Sequence, residues 1–177
     1  MQMEPQVLAA GRSLNLAKLL KVNEGTGTTT KKFRWAITGG DGAAYATLTS
    51  GGTLKAKTVT GHKQVQVTVT AQDSGAYSRT FTVDLYPATR KVTLFRDGQE
   101  VAGKTLNAVT GDSFRLTAET LPGTAAKAFS WTSSKPGVVS VDAEGNVTVT
   151  GESGTVIVTC TAKDGTKQKA KVKITVN

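Results

Sequence analysis

Side chains that carry chemistry are scarce in these 177 residues, with one cysteine, Cys160, and one histidine, His62. A single cysteine excludes an intrachain disulfide and any cysteine-rich metal site. A single histidine obliges every His-based catalytic triad to use that residue. Proline occurs four times and aromatic residues make up 6%. No apolar run approaches the ~20 residues of a membrane-spanning helix. The opening stretch MQMEPQVLAAGRS has no basic segment followed by an apolar one, so it does not read as a secretory signal. Either no signal is needed or the segment belongs to a longer polypeptide.

Acidic residues are outnumbered by lysine and arginine, 13 to 22, giving a net charge of +9. The excess is +6 up to Arg90 and +3 beyond it, so it is no charged tail. Such a balance favours anionic surfaces without specifying one. Hydrophobic residues at 38% are enough for a folded core. The length suits one large domain or two of about 90 residues.

What is abundant is threonine, valine and short glycine clusters, the composition of strands and turns. The most telling stretch is Phe129–Val149, FSWTSSKPGVVSVDAEGNVTV. It reads as a strand centred on Trp131, a turn, a short apolar strand, an Asp-rich turn and another alternating strand. Around it, Lys91–Phe95 predicts a strand, Arg96–Glu100 a tight turn, and Val101–Val109 an edge strand. Phe114, Leu116 and Ala118 share one face. So do Val156, Val158, Cys160 and Ala162, and so do Ala170, Val172, Ile174 and Val176. Between the last two sets, Asp164-Gly165 predicts a hairpin turn.

The first half repeats this plan. Gly11–Leu16 matches Gly111–Leu116, Phe33-Arg34-Trp35 matches Phe129-Ser130-Trp131, and Leu48–Leu54 matches Val141–Val147. Val65–Asp73 matches Val156–Asp164, and Phe81, Val83 and Leu85 match Val172, Ile174 and Val176. Two copies of one domain are the economical reading, 1–87 and 88–177, meeting near Pro87. The first copy has extra residues between Leu16 and Trp35: one helical turn at Leu16–Lys21, then a Gly/Thr loop. It offers no counterpart of Val92–Phe95, so its opening strand is expected to be short or missing, leaving a sheet edge open. Each copy is expected to be an antiparallel β-sandwich with its tryptophan in the core.

The run from Trp131 to Val147, with Gly154-Thr155 after it, resembles the signature of bacterial immunoglobulin-like domains of group two, the invasin/intimin type. Those domains read Trp-x-Ser-Ser, Val-x-Val-Asp, Gly-x-Val and then Gly-Thr. The match is full over Lys91–Asn177 and looser over Val7–Tyr86, where Trp35-Ala-Ile-Thr stands in place of Trp-x-Ser-Ser. The resemblance implies an all-β chain of two tandem immunoglobulin-like antiparallel β-sandwiches. It also implies a non-enzymatic structural or adhesion module of a bacterial cell-surface or secreted protein, extracellular, acting as spacer or presenter of a binding domain. Alternatives are a glycan- or cell-wall-binding accessory module and a phage virion or tail decoration domain. Its partners would be a host-surface protein, a glycan or an anionic cell-wall polymer, with no cofactor and no specific nucleic acid, and the isolated segment would be monomeric.

The residues offer few rivals to that reading. His62 lies in a loop with no nucleophile motif nearby, so a surface histidine is the better reading. Cys160 reads as a small buried hydrophobe. Asp73, Asp142, Glu144 and Asp164 read as turn residues rather than calcium ligands, because no Asp-x-Asp-x-Asp-Gly loop is present. Tyr45, Tyr77 and Tyr86 are too scattered to define a site. Lys167, Lys169, Lys171 and Lys173 form a stripe on the last strand. It is either an anionic-surface contact or a solvated face that guards an edge, and its counterparts Ala76, Ser78, Thr80 and Thr82 are uncharged.

Overall fold

Alternating apolar and polar residues set the strands, and the turns between them are cut by glycine and aspartate. The computed structural model describes residues 1–22, 32–72 and 77–177. The Gly/Thr loop expected before Phe33, and the turn residues Asp73 and Ala76, lie outside the described residues. The chain forms two compact units, Met1–Ala88 and Thr89–Asn177.

The first unit contains β1 (Gln6–Ala9), β2 (Ser13–Asn15), β3 (Phe33–Gly39), β4 (Ala46–Leu48), β5 (Thr53–Ala56), β6 (Lys63–Ala71) and β7 (Ser78–Tyr86). Single 3-10 turns occupy Leu16–Lys18 and Ala43–Tyr45. One sheet runs β1-β7-β6-β3 and the other β2-β5-β4. Leu8, Leu16, Trp35, Leu54, Val65, Val67, Val69, Val83 and Leu85 fill the space between them.

The second unit contains β8 (Lys91–Arg96), β9 (Gln99–Glu100), β10 (Thr105–Ala108), β11 (Ser113–Arg115), β12 (Thr117–Leu121), β13 (Phe129–Ser133), β14 (Val139–Val141), β15 (Asn146–Val149), β16 (Gly154–Ala162) and β17 (Lys169–Val176). Its sheets are β10-β17-β16-β13, β11-β15-β14 and β12-β8-β9. Asp97 and Gly98 both take positive φ, 50° and 76°, and close the two-residue β8–β9 hairpin. Both units are immunoglobulin-like β-sandwiches.

The equivalence of the units reaches single hydrogen bonds. β6 and β16 have the same alternation of buried and exposed residues along all nine positions. Trp35 stands opposite Val69, and Trp131 opposite Cys160. The Leu16 N–H donates to the Gly52 carbonyl at 2.8 Å, and the Leu116 N–H to the Gly145 carbonyl at 2.9 Å. Both glycines are left-handed, at φ 78° and 86°, and both lie against the tryptophan ring. A Cβ on Gly52 would stand 2.8 Å from Trp35 Cε2. On Gly145 it would collide with the Leu116 carbonyl oxygen and stand 3.1 Å from Trp131 Cζ2.

Four findings depart from the sequence reading. First, neither sandwich is wholly antiparallel, because β1 pairs in parallel with β7 and β10 in parallel with β17. Alternation reports which side of a strand is buried, and carries no strand direction. Second, β1 is the counterpart of β10. It lines the β7 edge of its sheet, while the sheet β12-β8-β9, which holds Val92–Phe95, has no counterpart among the described residues of the first unit. Third, β17 lies between β10 and β16, so its lysines guard no edge. Fourth, Asp164 lies in the expected turn between the antiparallel strands β16 and β17, but it is fully buried there.

That buried carboxylate is a fastener. Asp164 Oδ2 accepts the Thr89 hydroxyl at 2.6 Å and the Thr89 N–H at 3.1 Å, and Oδ1 accepts the Thr166 hydroxyl at 2.5 Å and N–H at 2.9 Å. Burial pushes its carboxyl up, but the bonds from Thr166 and Thr89 together outweigh burial and hold it below the ordinary 3.8. The stability it contributes is therefore present above that value and is lost as pH falls through the lower folded one.

Two sets of substitutions test these contacts. Gly145→Ala should cost about 3 kcal/mol through φ and crowding together, whereas Gly98→Ala, with open space around it, should cost about 1 kcal/mol. Urea unfolding of both variants measures the difference. Asp164→Ala should cost about 3 kcal/mol, because it strands the hydrogen-bond donors of Thr89 and Thr166. Thermal melts from pH 6 downwards should show part of the acid sensitivity below about pH 4 disappearing in that variant.

Candidate functional site

Each candidate side chain now has a place. Cys160 is wholly buried beneath Trp131, and burial pushes its thiol up to about 12, so it stays protonated and inert at neutral pH. Asp142 accepts the Asn146 side-chain amide at 2.7 Å, the Asn146 N–H at 2.8 Å and the Glu144 N–H at 3.0 Å. These bonds, the Asn146 side chain first, hold its carboxyl below the ordinary range. Its lone pairs are spent on the β14–β15 turn. Glu144 is exposed beside it.

His62 is partly exposed on the first unit. Its Nε2 lies 2.7 Å from Asp84 Oδ1, and its ring stacks on Tyr86 at 4.6 Å with 19° between the planes. The Gln64 side-chain amide donates to the same carboxylate oxygen at 3.0 Å. Sequence reading missed this arrangement, because Asp84 and Tyr86 are brought to His62 only by the β6–β7 pairing. Among the described residues no hydroxyl or thiol is hydrogen-bonded to His62, so the pair has no nucleophile to activate. Tyr45 and Tyr77 are exposed and separate in the chain.

The tryptophans differ. Trp35 is 8% exposed and belongs to its core, as expected. Trp131 packs against the core of its unit, as expected, but its ring is only partly buried. With Phe129 it lines an open cleft of about 320 Å³, bounded by Arg115, Lys127 and Glu144. The Phe-x-Trp pattern is common to both copies and carries no information about what covers the ring.

Lys169, Lys171 and Lys173 project from the exposed face of β17, and Lys167 precedes the strand with φ 60°. Across β16 they face Thr161, Thr159 and Ile157, and Lys173 also faces Thr105 of β10. None of the strands β10, β13, β16 and β17 carries an aspartate or glutamate. Among the described residues none of the four lysines has an ion-pair partner. The result is a flat cationic patch. The same face of the first unit is a hydroxyl ladder: Thr38 and Thr68 are 2.9 Å apart, Thr68 and Thr80 2.8 Å, Thr70 and Ser78 2.8 Å.

Residues 97–173 match the family model of the bacterial Ig-like domain (group 2). Among solved structures, an intimin mutant of EHEC O157:H7 is 28% identical, with 48% of this chain and 44% of that chain covered and a TM-score of 0.34. A C-terminal 282-residue fragment of intimin, in complex with the intimin-binding domain of the translocated intimin receptor, is 20% identical over 82% of this chain and 51% of that one, with a TM-score of 0.35. The cis-dimer structure of protocadherin gammaB7 EC3-6 is 12% identical over 99% of this chain and 49% of that one, at 0.40. The chain spans about half the length of these structures. No curated protein matches it. No helix among the described residues is long and apolar enough to cross a membrane. Over residues 97–173 the second unit is thus similar to the bacterial Ig-like domain, group 2.

Proposed function

We propose that the chain is a non-enzymatic structural and adhesion module of a bacterial surface or secreted protein, two tandem Ig-like domains that space or present a binding domain. In this reading the first unit is a divergent copy of the second. One observation carries it: the groups best suited to chemistry are spent on the scaffold. Asp142 and Asp164 hold turns, Cys160 fills the core, and His62 packs on Tyr86 and Asp84. The family match of residues 97–173 supports the same reading. Inserting the 177 residues between a bacterial surface anchor and a reporter binding domain should increase capture of the reporter's ligand over direct fusion. No gain in capture, or hydrolase turnover by the purified chain that His62→Ala abolishes, overturns the proposal.

A second reading rests on the lysine patch, which has no ion-pair partner among the described residues. Lys169, Lys171 and Lys173, with Lys167 beside them, contact an anionic cell-wall polymer or sulfated glycan. Exposed charges of this kind act through long-range attraction that salt screens. Retention on immobilised heparin or teichoic acid should fall at higher salt, and a triple Lys169→Ala, Lys171→Ala, Lys173→Ala variant should elute at clearly lower salt. Unchanged elution removes the patch as a contact.

A further inference from the structure

The two units use the same positions differently. In the first, outward side chains of β6 and β7 close on one another: Thr68 stands opposite Thr80 and Thr70 opposite Ser78, each pair joined at 2.8 Å. In the second, the equivalent pairs are Thr159 with Lys171 and Thr161 with Lys169, and Ile157 stands opposite Lys173. One partner of each hydroxyl pair has become an ammonium group, which has donors and no acceptor. The flanking strands add only neutral groups, Thr105 and Asn107 from β10 and Thr132 from β13, all exposed. Like charges on one face repel, and a bound anion relieves that repulsion.

The stripe also has a period. Lys169, Lys171 and Lys173 alternate with the buried Ala170, Val172 and Ile174. Their stems therefore leave the strand about 6.7 Å apart, twice the rise per residue. A phosphodiester polymer whose phosphates are joined through three carbons has as many covalent bonds between successive phosphorus atoms as the backbone has between the Cα atoms of alternate residues. Its negative charges thus recur at nearly the same interval. In a sulfated glycan a sugar ring stands between charge-bearing units, and the interval differs. Nucleic acid has the phosphate interval, but the aromatic residues of these strands, Phe129 and Trp131, pack against the core, so the outer face has no ring on which bases could stack.

We propose that the outer face of the β10-β17-β16-β13 sheet binds a polyol phosphate polymer, laid along β17 with one phosphodiester to each of Lys169, Lys171 and Lys173. The threonine hydroxyls of β16 lie beside the phosphates and hydrogen-bond to their oxygens. This deepens the lysine-patch reading above and rests on it for the location of the contact. Lysine acts on phosphate as a point charge, so spacing along the strand sets the preference.

Poly(glycerol phosphate), a heparin fragment and oligothymidylate, matched in number of charges, are titrated against the full chain over a salt series. Charge density alone would favour heparin. The glycerol phosphate chain should instead bind several-fold more tightly than either rival at each salt concentration. A second variant, Lys171→Thr with Thr175→Lys, keeps composition and net charge but opens a gap in the stripe, at an outward position of the same strand. It should lose several-fold in affinity for the glycerol phosphate chain and none for heparin, with its thermal midpoint unchanged. Heparin or oligothymidylate binding as tightly as glycerol phosphate, or an undiminished rearranged variant, overturns the proposal. If the triple lysine-to-alanine variant then still loses affinity for all three polymers alike, the patch remains an anionic contact and only the phosphate spacing falls. If that variant loses nothing, the patch reading falls with it.

Discussion

Each sandwich depends on one contact, a tryptophan ring laid against a left-handed glycine. Trp35 and Trp131 come from the four-stranded sheet, while Gly52 and Gly145 come from the turn before a strand of the opposing three-stranded sheet. The glycine has no Cβ, so the indole can lie against its backbone and close the space between sheets. Its carbonyl accepts the Leu16 or Leu116 N–H, which brings in the segment that follows β2 or β11. Three parts of the chain therefore meet at one residue. The buried valines of β6 and β16 pack around a ring whose position is already determined.

With the sheets joined in this way, the polar groups serve as fasteners. Asp142 closes a turn and Asp164 ties the segment ahead of β8 to the segment ahead of β17. Neither is free to bind a cation or move a proton, since their lone pairs are already occupied by N–H and O–H donors. What remains for function is surface and direction. The second unit presents lysines without ion-pair partners among the described residues, the first a row of mutually bonded hydroxyls, and each unit closes with a parallel pair.

Much of this was legible before any coordinates. The strict alternation along Val65–Ala71 and Val156–Ala162 gave the inward faces correctly, and the tight turn expected over Arg96–Glu100 is present, narrowed to Asp97-Gly98. The helical turn expected at Leu16–Lys21 is present over Leu16–Lys18. The clasp was illegible, because Thr89 and Asp164 are 75 positions apart and each looks like an ordinary turn residue. The partial exposure of Trp131 was illegible too, since the same pattern buries Trp35. The lysines of β17 looked like edge guards, yet a strand's own residues do not say how many neighbours it has.

The amino-acid sequence by itself determined the all-β class, the faces of the long strands and the family resemblance of its second half. These follow from local steric preference and from the period-2 alternation of side chains, both of which are properties of short segments. Only the tertiary structure decided that β1 and β10 run parallel to the last strands, that β17 is interior, that Asp164 is buried, and that His62 meets Asp84 and Tyr86. Those outcomes depend on which distant segments become neighbours. The free energy of that choice is shared across the whole core, so no single stretch of sequence contains it.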